Sequence, residues 1–290
     1  MIKLTVLCDN YTPPSIGLKS EHGFSLLIQM NGQNILFDTG QSGICVDNAN
    51  TLGINLKQID KIILSHGHYD HTGGLSRLLK TISKPVEIIA HPNIFEAKYA
   101  IRPELKRKKI FIGMPNTKNY LTDTLNAQFN LHKNFYEIQQ GLWLSGEVPL
   151  LNDIEKIEDT FKIMDSDTLK KDALLDDNSL AIDSDKGLII ILGCAHRGLV
   201  NIVSHLKAKL PTKKIFAIIG GTHLYEASAE HIKYIVNFLR DEDVKLFAPS
   251  HCTGIDKIMY FAKELNDITK PAFCGSVFDF IEILEDTLKC

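Results

Sequence analysis

The chain has 290 residues, of which 44% are hydrophobic, and it carries a formal net charge of −3. This length and composition allow a sizeable core, and we predict a single α/β domain over residues 1–290. The slightly acidic balance argues against a protein that binds nucleic acid or an anionic membrane through a general basic field. No apolar stretch approaches the roughly 20 residues that are needed to span a bilayer.

The cysteines show no paired Cys-x-x-Cys spacing, and the first ten residues alternate like a strand and carry no cleavable signal pattern. They are Cys8, Cys45, Cys194, Cys252, Cys274 and Cys290. Without a secretion signal, reduced thiols are favoured over a disulfide framework. We therefore expect a cytoplasmic protein.

The first ninety residues predict alternating strands and helices. Strands are predicted over residues 2–8, 24–30, 34–37 and 86–90, and a helix over residues 75–82. Asn31-Gly32 is a hairpin turn signal between the second and third strands. The third strand ends directly before Asp38-Thr39-Gly40.

Between residues 92 and 180 the hydrophobic periodicity weakens. This segment predicts one or two strands plus a long insertion or lid. It contains a basic run, Arg102 and Lys106, Arg107, Lys108 and Lys109. A solvated helix face is the favoured explanation of this run, because no glycine-rich phosphate loop accompanies it, and phosphate binding is the alternative.

The C-terminal part repeats one pattern, an apolar run followed by a histidine. The runs cover residues 188–192, 215–219 and 244–248, and the histidines are His196, His223 and His251. Helical spacing is found over residues 199–210 and 232–239, and a further helix is predicted over residues 255–265. Strands that alternate with helices indicate a layered α/β architecture, whose ligands gather at the carboxyl ends of the strands.

A short run after the apolar stretch Ile62–Leu64 is rich in side chains that can bind a metal. It contains His66, His68, Asp70 and His71 within six positions. Neutral imidazole and carboxylate are preferred ligands of Zn²⁺ and related divalent ions. Such a cluster is costly to bury without a partner, so the run predicts a metal site.

The order of these motifs resembles the metallo-β-lactamase superfamily. The motifs are Asp38-Thr39-Gly40, then His66-x-His68-x-Asp70-His71, then His196 and finally His251. The resemblance implies a four-layer αβ/βα sandwich and one or two divalent ions, Zn²⁺ first, with Mn or Fe as alternatives. It implies that one ion is bound by His66, His68 and His196, and a second by Asp70, His71 and His251. Asp38 would orient an imidazole without touching metal.

The sequence departs from the family pattern at one position. Many members have an aspartate that bridges both metals, whereas the corresponding strand here ends at Thr222-His223. His223 would substitute for it, contact substrate or occupy a loop, and a single bound ion is an alternative. Thiolates of Cys194 or Cys252 are further candidate ligands, although filling of space is the simpler explanation of these small side chains.

Further segments are similar to a subgroup described as dihydropterin–ribofuranosylaminobenzene 5'-phosphate synthases. They are residues 21–25, 65–75, 145–149 and 193–198. This similarity implies a transferase that joins an arylamine to a dihydropterin methyl diphosphate.

The favoured hypothesis is a hydrolase of a phosphate-containing or ester small molecule, in which Asp70 orients the attacking water. His22, Glu21 and His223 are candidates for proton transfer or substrate contact, and a non-catalytic metal sensor is a third hypothesis.

Overall fold

A computed structural model describes residues 2–106 and 108–280. Arg107 of the basic run and Cys290 lie outside the described residues. The strands, in chain order, are β1 Ile2–Cys8, β2 Ser25–Met30, β3 Gln33–Phe37, β4 Lys61–Ile63, β5 Val86–Ala90, β6 Lys98–Ile101, β7 Lys109–Phe111, β8 Ala127–Leu131, β9 Tyr136–Gln139, β10 Leu142–Leu144, β11 Phe161–Asp165, β12 Thr168–Lys171, β13 Ser179–Ser184, β14 Gly187–Leu192, β15 Ile215–Gly221, β16 Leu246–Ser250 and β17 Val277–Asp279. The helices are α1 Ile44–Thr51, α2 Tyr69–Thr72, α3 Leu75–Ile82, α4 Leu199–Lys209, α5 Ala229–Asp241 and α6 Ile255–Glu264.

Two large sheets face each other across the centre of the molecule. One has the strand order β17-β1-β2-β3-β4-β5-β8, and the other has the order β16-β15-β14-β13-β10-β9. Strands β3, β4, β5 and β8 run parallel, as do β14, β15 and β16. Of these parallel strands, β4, β14 and β16 are followed by the predicted ligands, so the fold brings the ligands to one edge.

Alternate side chains of the central strands enter two different cores. Ile63 of β4 packs between the two sheets, whereas its neighbour Ile62 packs under the helices α1 and α3. On the second sheet, Ile189 faces the first sheet and Ile190 packs against α4 and α5. Both faces of each sheet are therefore covered, which explains the continuous apolar runs. The result is the four-layer helix–sheet–sheet–helix sandwich that the family resemblance implied.

The segment between residues 92 and 180 is the main correction to the predicted elements. Its described residues contain all of β6 to β12 and the start of β13, where one or two strands were expected. Strands β6, β7, β11 and β12 form a separate four-stranded sheet, while β8, β9 and β10 extend the two large sheets. These strands have three to five residues and β12 is wholly exposed, so they lack the periodic apolar pattern that identifies a strand in sequence.

Two smaller predictions also change. The described part of the basic run lies in the hairpin between β6 and β7 and at the start of β7, so it is not a helix face. Strand β16 lies two residues further along than the predicted range 244–248, because Pro249 and Ser250 still pair with Gly220 and Gly221. Pro249 is tolerated there because β16 is an edge strand.

The predicted helix over residues 75–82 and the strand over residues 86–90 are confirmed with the same bounds. Within residues 2–106 and 108–280, no helix has both the length and the apolar composition required to cross a membrane.

Candidate metal centre

Asp38 and Ser65 connect the ends of two parallel strands. Asp38 follows β3 and adopts a left-handed backbone conformation, with φ at 60°. Its Oδ1 accepts a hydrogen bond from the Ser65 backbone amide at 2.7 Å, and its Oδ2 accepts one from the Ser65 hydroxyl at 2.6 Å. The start of the ligand run is therefore fixed before the first histidine.

Three histidines converge on one point, and we call them the three-histidine group: His66, His68 and His196. His66 Nε2 lies 3.0 Å from His68 Nδ1 and 3.2 Å from His196 Nε2. Nitrogens that share a tetrahedral cation with bonds of 2.0–2.1 Å lie ~3.3 Å apart. The spacing of these donor atoms therefore fits a bound divalent ion.

The charge state of these histidines also fits a cation. Burial lowers the pKa of His66, His68 and His196, and neighbouring imidazoles lower it further. All three are therefore neutral near pH 7, which is the protonation state that a metal requires of an imidazole ligand.

A second group contains Asp70, His71, His251 and, in addition, Cys194, whose donor atoms lie within 4.8 Å of one another. His71 Nε2 lies 3.2 Å from His251 Nε2 and 3.0 Å from Cys194 Sγ. Asp70 Oδ2 lies 3.2 Å from His251 Nε2. The structure therefore brings together every predicted ligand of the second ion and adds a sulfur that the sequence left open.

Buried charges dominate the electrostatics of the second group. Burial alone would lower the pKa of His71, but Asp70 and Asp38 outweigh it and raise the pKa to about 9. Burial likewise opposes ionisation of Asp70, yet His71, His22 and His251 hold its pKa well below the usual range. A carboxylate and a protonated imidazole therefore face each other, and a divalent cation would displace that proton.

The loop after β1 fixes His251. The Asp9 Oδ1 accepts a hydrogen bond from the His251 backbone amide at 2.7 Å, and Asn10 Oδ1 lies 2.8 Å from His251 Nδ1. These contacts leave Nε2 of His251 directed at Asp70 and His71. Sequence reasoning missed Asp9 and Asn10, although their place directly after a buried strand was a usable signal.

Two adjacent aspartates hold the loops of the three-histidine group. Asp176 Oδ2 accepts from the Gly67 amide at 2.8 Å, and Asp177 Oδ2 accepts from the Arg197 amide at 2.8 Å. Asp176 is itself paired with the fully buried Lys98 at 2.9 Å. These residues precede β13 in the segment of weak periodicity, and no sequence pattern distinguished them.

His22 lies at the solvent-exposed edge of the second group. Its side chain is 51% exposed, and its Nε2 lies 3.2 Å from Asp70 Oδ2. The hydrogen bond with Asp70 raises the pKa of His22. Its predicted companion Glu21 is used elsewhere, because its carboxylate accepts hydrogen bonds from the Gln41 and Ser42 amides.

His223 belongs to neither of the two groups described so far. Its Nε2 lies 2.9 Å from Glu158 Oε1, and its ring centroid lies 4.1 Å from that of His196. Burial opposes its charged form, but Cys252 and Glu158 raise the pKa of His223 to about 10. Among the described residues, no carboxylate takes the place of the bridging aspartate on this strand.

Both groups open onto one cavity of about 490 Å³. The four-stranded sheet contributes part of its wall through Ala100, Ile110 and Phe161, and the hairpin between β6 and β7 contributes Arg102. The cavity is also lined by aromatic side chains, namely Tyr11, Tyr69 and Tyr225. The donors are therefore accessible to a small molecule that has both polar and apolar parts.

Residues 20–169 match the sequence model of the metallo-beta-lactamase superfamily. The chain belongs to this superfamily. A 7,8-dihydropterin-6-methyl-4-(beta-D-ribofuranosyl)-aminobenzene-5'-phosphate synthase of Methanocaldococcus jannaschii is 34% identical, over 96% of this chain and 97% of that protein. The uncharacterized protein MJ0448 of the same organism is also 34% identical, over 86% of this chain and 90% of that protein.

Among solved structures, the metallo-β-lactamase fold is matched by Tm1679, a metal-dependent hydrolase of the beta-lactamase superfamily. The TM-score is 0.82 with 28% sequence identity, and the match covers 96% of this chain and 99% of the other. Membership of the superfamily and these relatives support an enzyme. The superfamily implies a divalent metal, and the two groups of His and Asp donors could bind it.

Proposed function

We propose that this metallo-β-lactamase-fold chain is a metal-dependent hydrolase of a small-molecule substrate that contains a phosphate or an ester. The observation that carries the proposal is that two groups of side chains that could hold a metal ion open onto one cavity. His66, His68 and His196 would hold one ion. Asp70, His71 and His251 would hold a second, which would be Zn²⁺ or, alternatively, Mn or Fe.

The residues around the ions would have different roles in the reaction. When bound, a divalent cation lowers the pKa of water and polarises a phosphoryl or carbonyl oxygen. Asp70 would orient the attacking water through the oxygen that also contacts His22. The half-exposed His22 would exchange a proton with solvent or with the leaving group. Asp38, which contacts His71 and Ser65, would keep the imidazole in its ligand orientation.

Arg102 supports a phosphorylated substrate. It is the member of the basic run, among those described, that lines the cavity, and its Nη1 lies 3.9 Å from Glu158 Oε2. Lys109 instead lies over the ring of Tyr99. A guanidinium that lines this cavity can bind an anionic group in a bidentate manner.

The four-stranded sheet would act as the lid that the sequence predicted, and the chain would form one domain. We also retain the cytoplasm as the proposed location, because the thiols of Cys194 and Cys252 stay reduced there. Proteolysis of the native chain tests the domain proposal: a stable fragment that lacks β6, β7, β11 and β12 would contradict it.

Hydrolysis is tested with chelator-treated protein that is reloaded with Zn²⁺ or Mn²⁺. We expect turnover of phosphodiester, phosphomonoester or ester substrates, and we expect His68→Ala and Asp70→Ala to abolish it. His132→Ala is the matched control, because His132 stacks on Tyr136 outside the cavity. Metal-loaded wild-type protein that turns over no substrate of this panel would contradict the hydrolase.

A transferase is the second candidate, and the similarity to the synthase over nearly the whole chain favours it. The same residues would then hold the diphosphate of a dihydropterin methyl diphosphate as the leaving group. An arylamine ribofuranosyl phosphate would occupy the apolar and aromatic side of the cavity. Diphosphate release that requires the arylamine would support this reaction, and release in water alone would support the hydrolase.

Two further outcomes of these assays have a clear meaning. Tight metal binding without turnover in either assay would favour the non-catalytic sensor. Cleavage of RNA or DNA with a steep salt dependence would indicate a nuclease, which the net charge of −3 argues against.

A further inference from the structure

We propose that Cys194, His223 and Cys252 form a third metal-binding group, which takes a thiophilic divalent cation such as Zn²⁺. We call these three residues the thiol group. The proposal goes beyond the hydrolase or transferase reaction, because the cation would bind whichever reaction the centre performs.

The topology brings the thiol group together. Cys194, His223 and Cys252 each follow one of the three adjacent parallel strands β14, β15 and β16. Parallel neighbours end at the same edge of a sheet, so the three loops meet there. The sulfur and nitrogen donors of the group lie within 4.8 Å of one another.

Close contacts fix the sulfur of Cys252. It accepts a hydrogen bond from the His223 backbone amide at 3.3 Å, and its thiol points to the Cys194 carbonyl oxygen at 3.6 Å. A Cβ atom on Gly221 would lie 2.7 Å from this sulfur. The absence of a side chain at Gly221 therefore allows the close approach.

The imidazole of His223 is oriented as a ligand. Its Nε2 is engaged by Glu158 at 2.9 Å, whereas its Nδ1 is buried and has no hydrogen-bond partner. A metal-ligating histidine characteristically gives its other ring nitrogen to a carboxylate in this way. Nδ1 is thus the atom available to a cation, which would displace the proton that Cys252 and Glu158 favour on this ring.

The chemistry of the donors selects the cation. Two thiolates and one imidazole form a soft ligand set, and Zn²⁺ accepts such a Cys₂His set with one open position. All three residues line the cavity, so the open position would face a substrate. Cys194 Sγ also lies 3.0 Å from His71 Nε2, so its thiolate would be shared with the second group.

Metal titration of reduced, chelator-treated full-length protein tests the thiol group. Cd²⁺ is the thiophilic probe and Mn²⁺ is the oxygen-preferring comparison. We expect wild-type protein to bind one more equivalent of Cd²⁺ than Cys252→Ser, and no such difference with Mn²⁺. With Co²⁺, the near-ultraviolet sulfur-to-cobalt absorption should fall to about half in Cys252→Ser, because the Cys252 thiolate is lost while the Cys194 thiolate remains beside the second group.

Cys45→Ser is the matched control, because Cys45 is a buried thiol that donates to the Thr39 carbonyl oxygen and belongs to none of the donor groups. It should retain the wild-type Cd²⁺ stoichiometry and the cobalt absorption. Glu158→Gln keeps both thiols, and we expect it to lower the affinity of the thiol group for Cd²⁺ 10- to 100-fold.

Unchanged Cd²⁺ stoichiometry and cobalt absorption in Cys252→Ser would overturn the proposal. If Cys252→Ser does not fold, unchanged Cd²⁺ affinity in Glu158→Gln overturns it instead. A Cys194–Cys252 disulfide that persists in reductant and excludes the extra cation would also overturn it.

Discussion

Asp38 and His71 form a fully buried pair in which Oδ2 of the carboxylate lies 2.7 Å from Nδ1 of the imidazole. Because Nδ1 is engaged, Nε2 is the ring nitrogen that faces Cys194 and His251. The Asp38 carboxylate thus determines which nitrogen of His71 is available to a metal, although the carboxylate itself contacts only the other ring nitrogen.

Asp38→Asn is expected to weaken the second group selectively. The side-chain amide of the introduced asparagine cannot accept both hydrogen bonds from Ser65 and also stabilise the proton on His71 Nδ1. We therefore expect the metal affinity of the second group to fall 10- to 100-fold. Calorimetric titration with Zn²⁺ measures the change. Asp60→Asn is the control, because Asp60 is exposed and contacts only the Asn34 amide among the side-chain bonds described. Equal affinities in the two variants would contradict the role of Asp38.

Asp177→Ala and Asp9→Ala should each weaken metal binding at a different one of the two groups. Asp177 holds the backbone beside His196, whereas Asp9 holds the backbone amide of His251. Each substitution leaves a buried amide unpaired, at a cost of about 1–3 kcal/mol. We therefore expect Asp177→Ala to weaken the three-histidine group and Asp9→Ala to weaken the second group.

The visible spectrum and stoichiometry of Co²⁺ binding measure this selectivity for the two aspartates. The variants are controls for each other, since both remove a buried carboxylate that accepts backbone amides. If the two aspartates had a purely structural role, both variants would lose thermal stability and each would weaken the two metal groups equally. That result would refute the assignment of Asp177 to the three-histidine group and of Asp9 to the second group.

His22→Ala should slow turnover without removing metal. His22 contacts Asp70 from the exposed side of the cavity, so its loss removes a proton carrier but no predicted ligand. We expect kcat to fall about 100-fold, the lower end of general acid–base effects, with little change in KM. Elemental analysis should give wild-type metal content, and loss of an ion would instead make His22 a ligand.

Glu87→Gln should lower stability in a pH-dependent way at a position far from the metal centre. Burial would raise the pKa of Glu87, but Lys61 and Asn130 outweigh it and lower the pKa. A carboxyl group with a depressed pKa in the folded state stabilises above its unfolded pKa, about 4.3, and loses that contribution as the pH falls.

We expect Glu87→Gln to cost about 0.5–1 kcal/mol at pH 7, the range of a partly exposed ion pair. Urea denaturation at pH 7 and at pH 3.5 measures this difference. The difference from wild type should shrink towards the lower pH, and a difference that grows would contradict the assigned charge state. Asp165→Asn is the control, because Asp165 pairs with Lys170 in an exposed hairpin.

The relation between sequence and structure differs between the two kinds of residue at this site. The grouping of His66, His68, Asp70 and His71 was predictable, because they are adjacent in sequence and carry the donor types that metals require. Asp176 and Asp177 were not, because they act through hydrogen bonds to backbone amides at Gly67 and Arg197. An acidic residue that accepts such a bond looks, in sequence, like any surface aspartate.

The sequence by itself determined the superfamily, because the order of its motifs resembles that family, and this resemblance implied the four-layer architecture and the six predicted ligands. Tertiary structure alone decided that Cys194 lies among the donors, that His223 is oriented by Glu158 and that Glu21 is used to fix a loop. These relationships depend on which loops meet at the edge of two sheets. That meeting results from packing between strands far apart in the chain, which no short sequence window records.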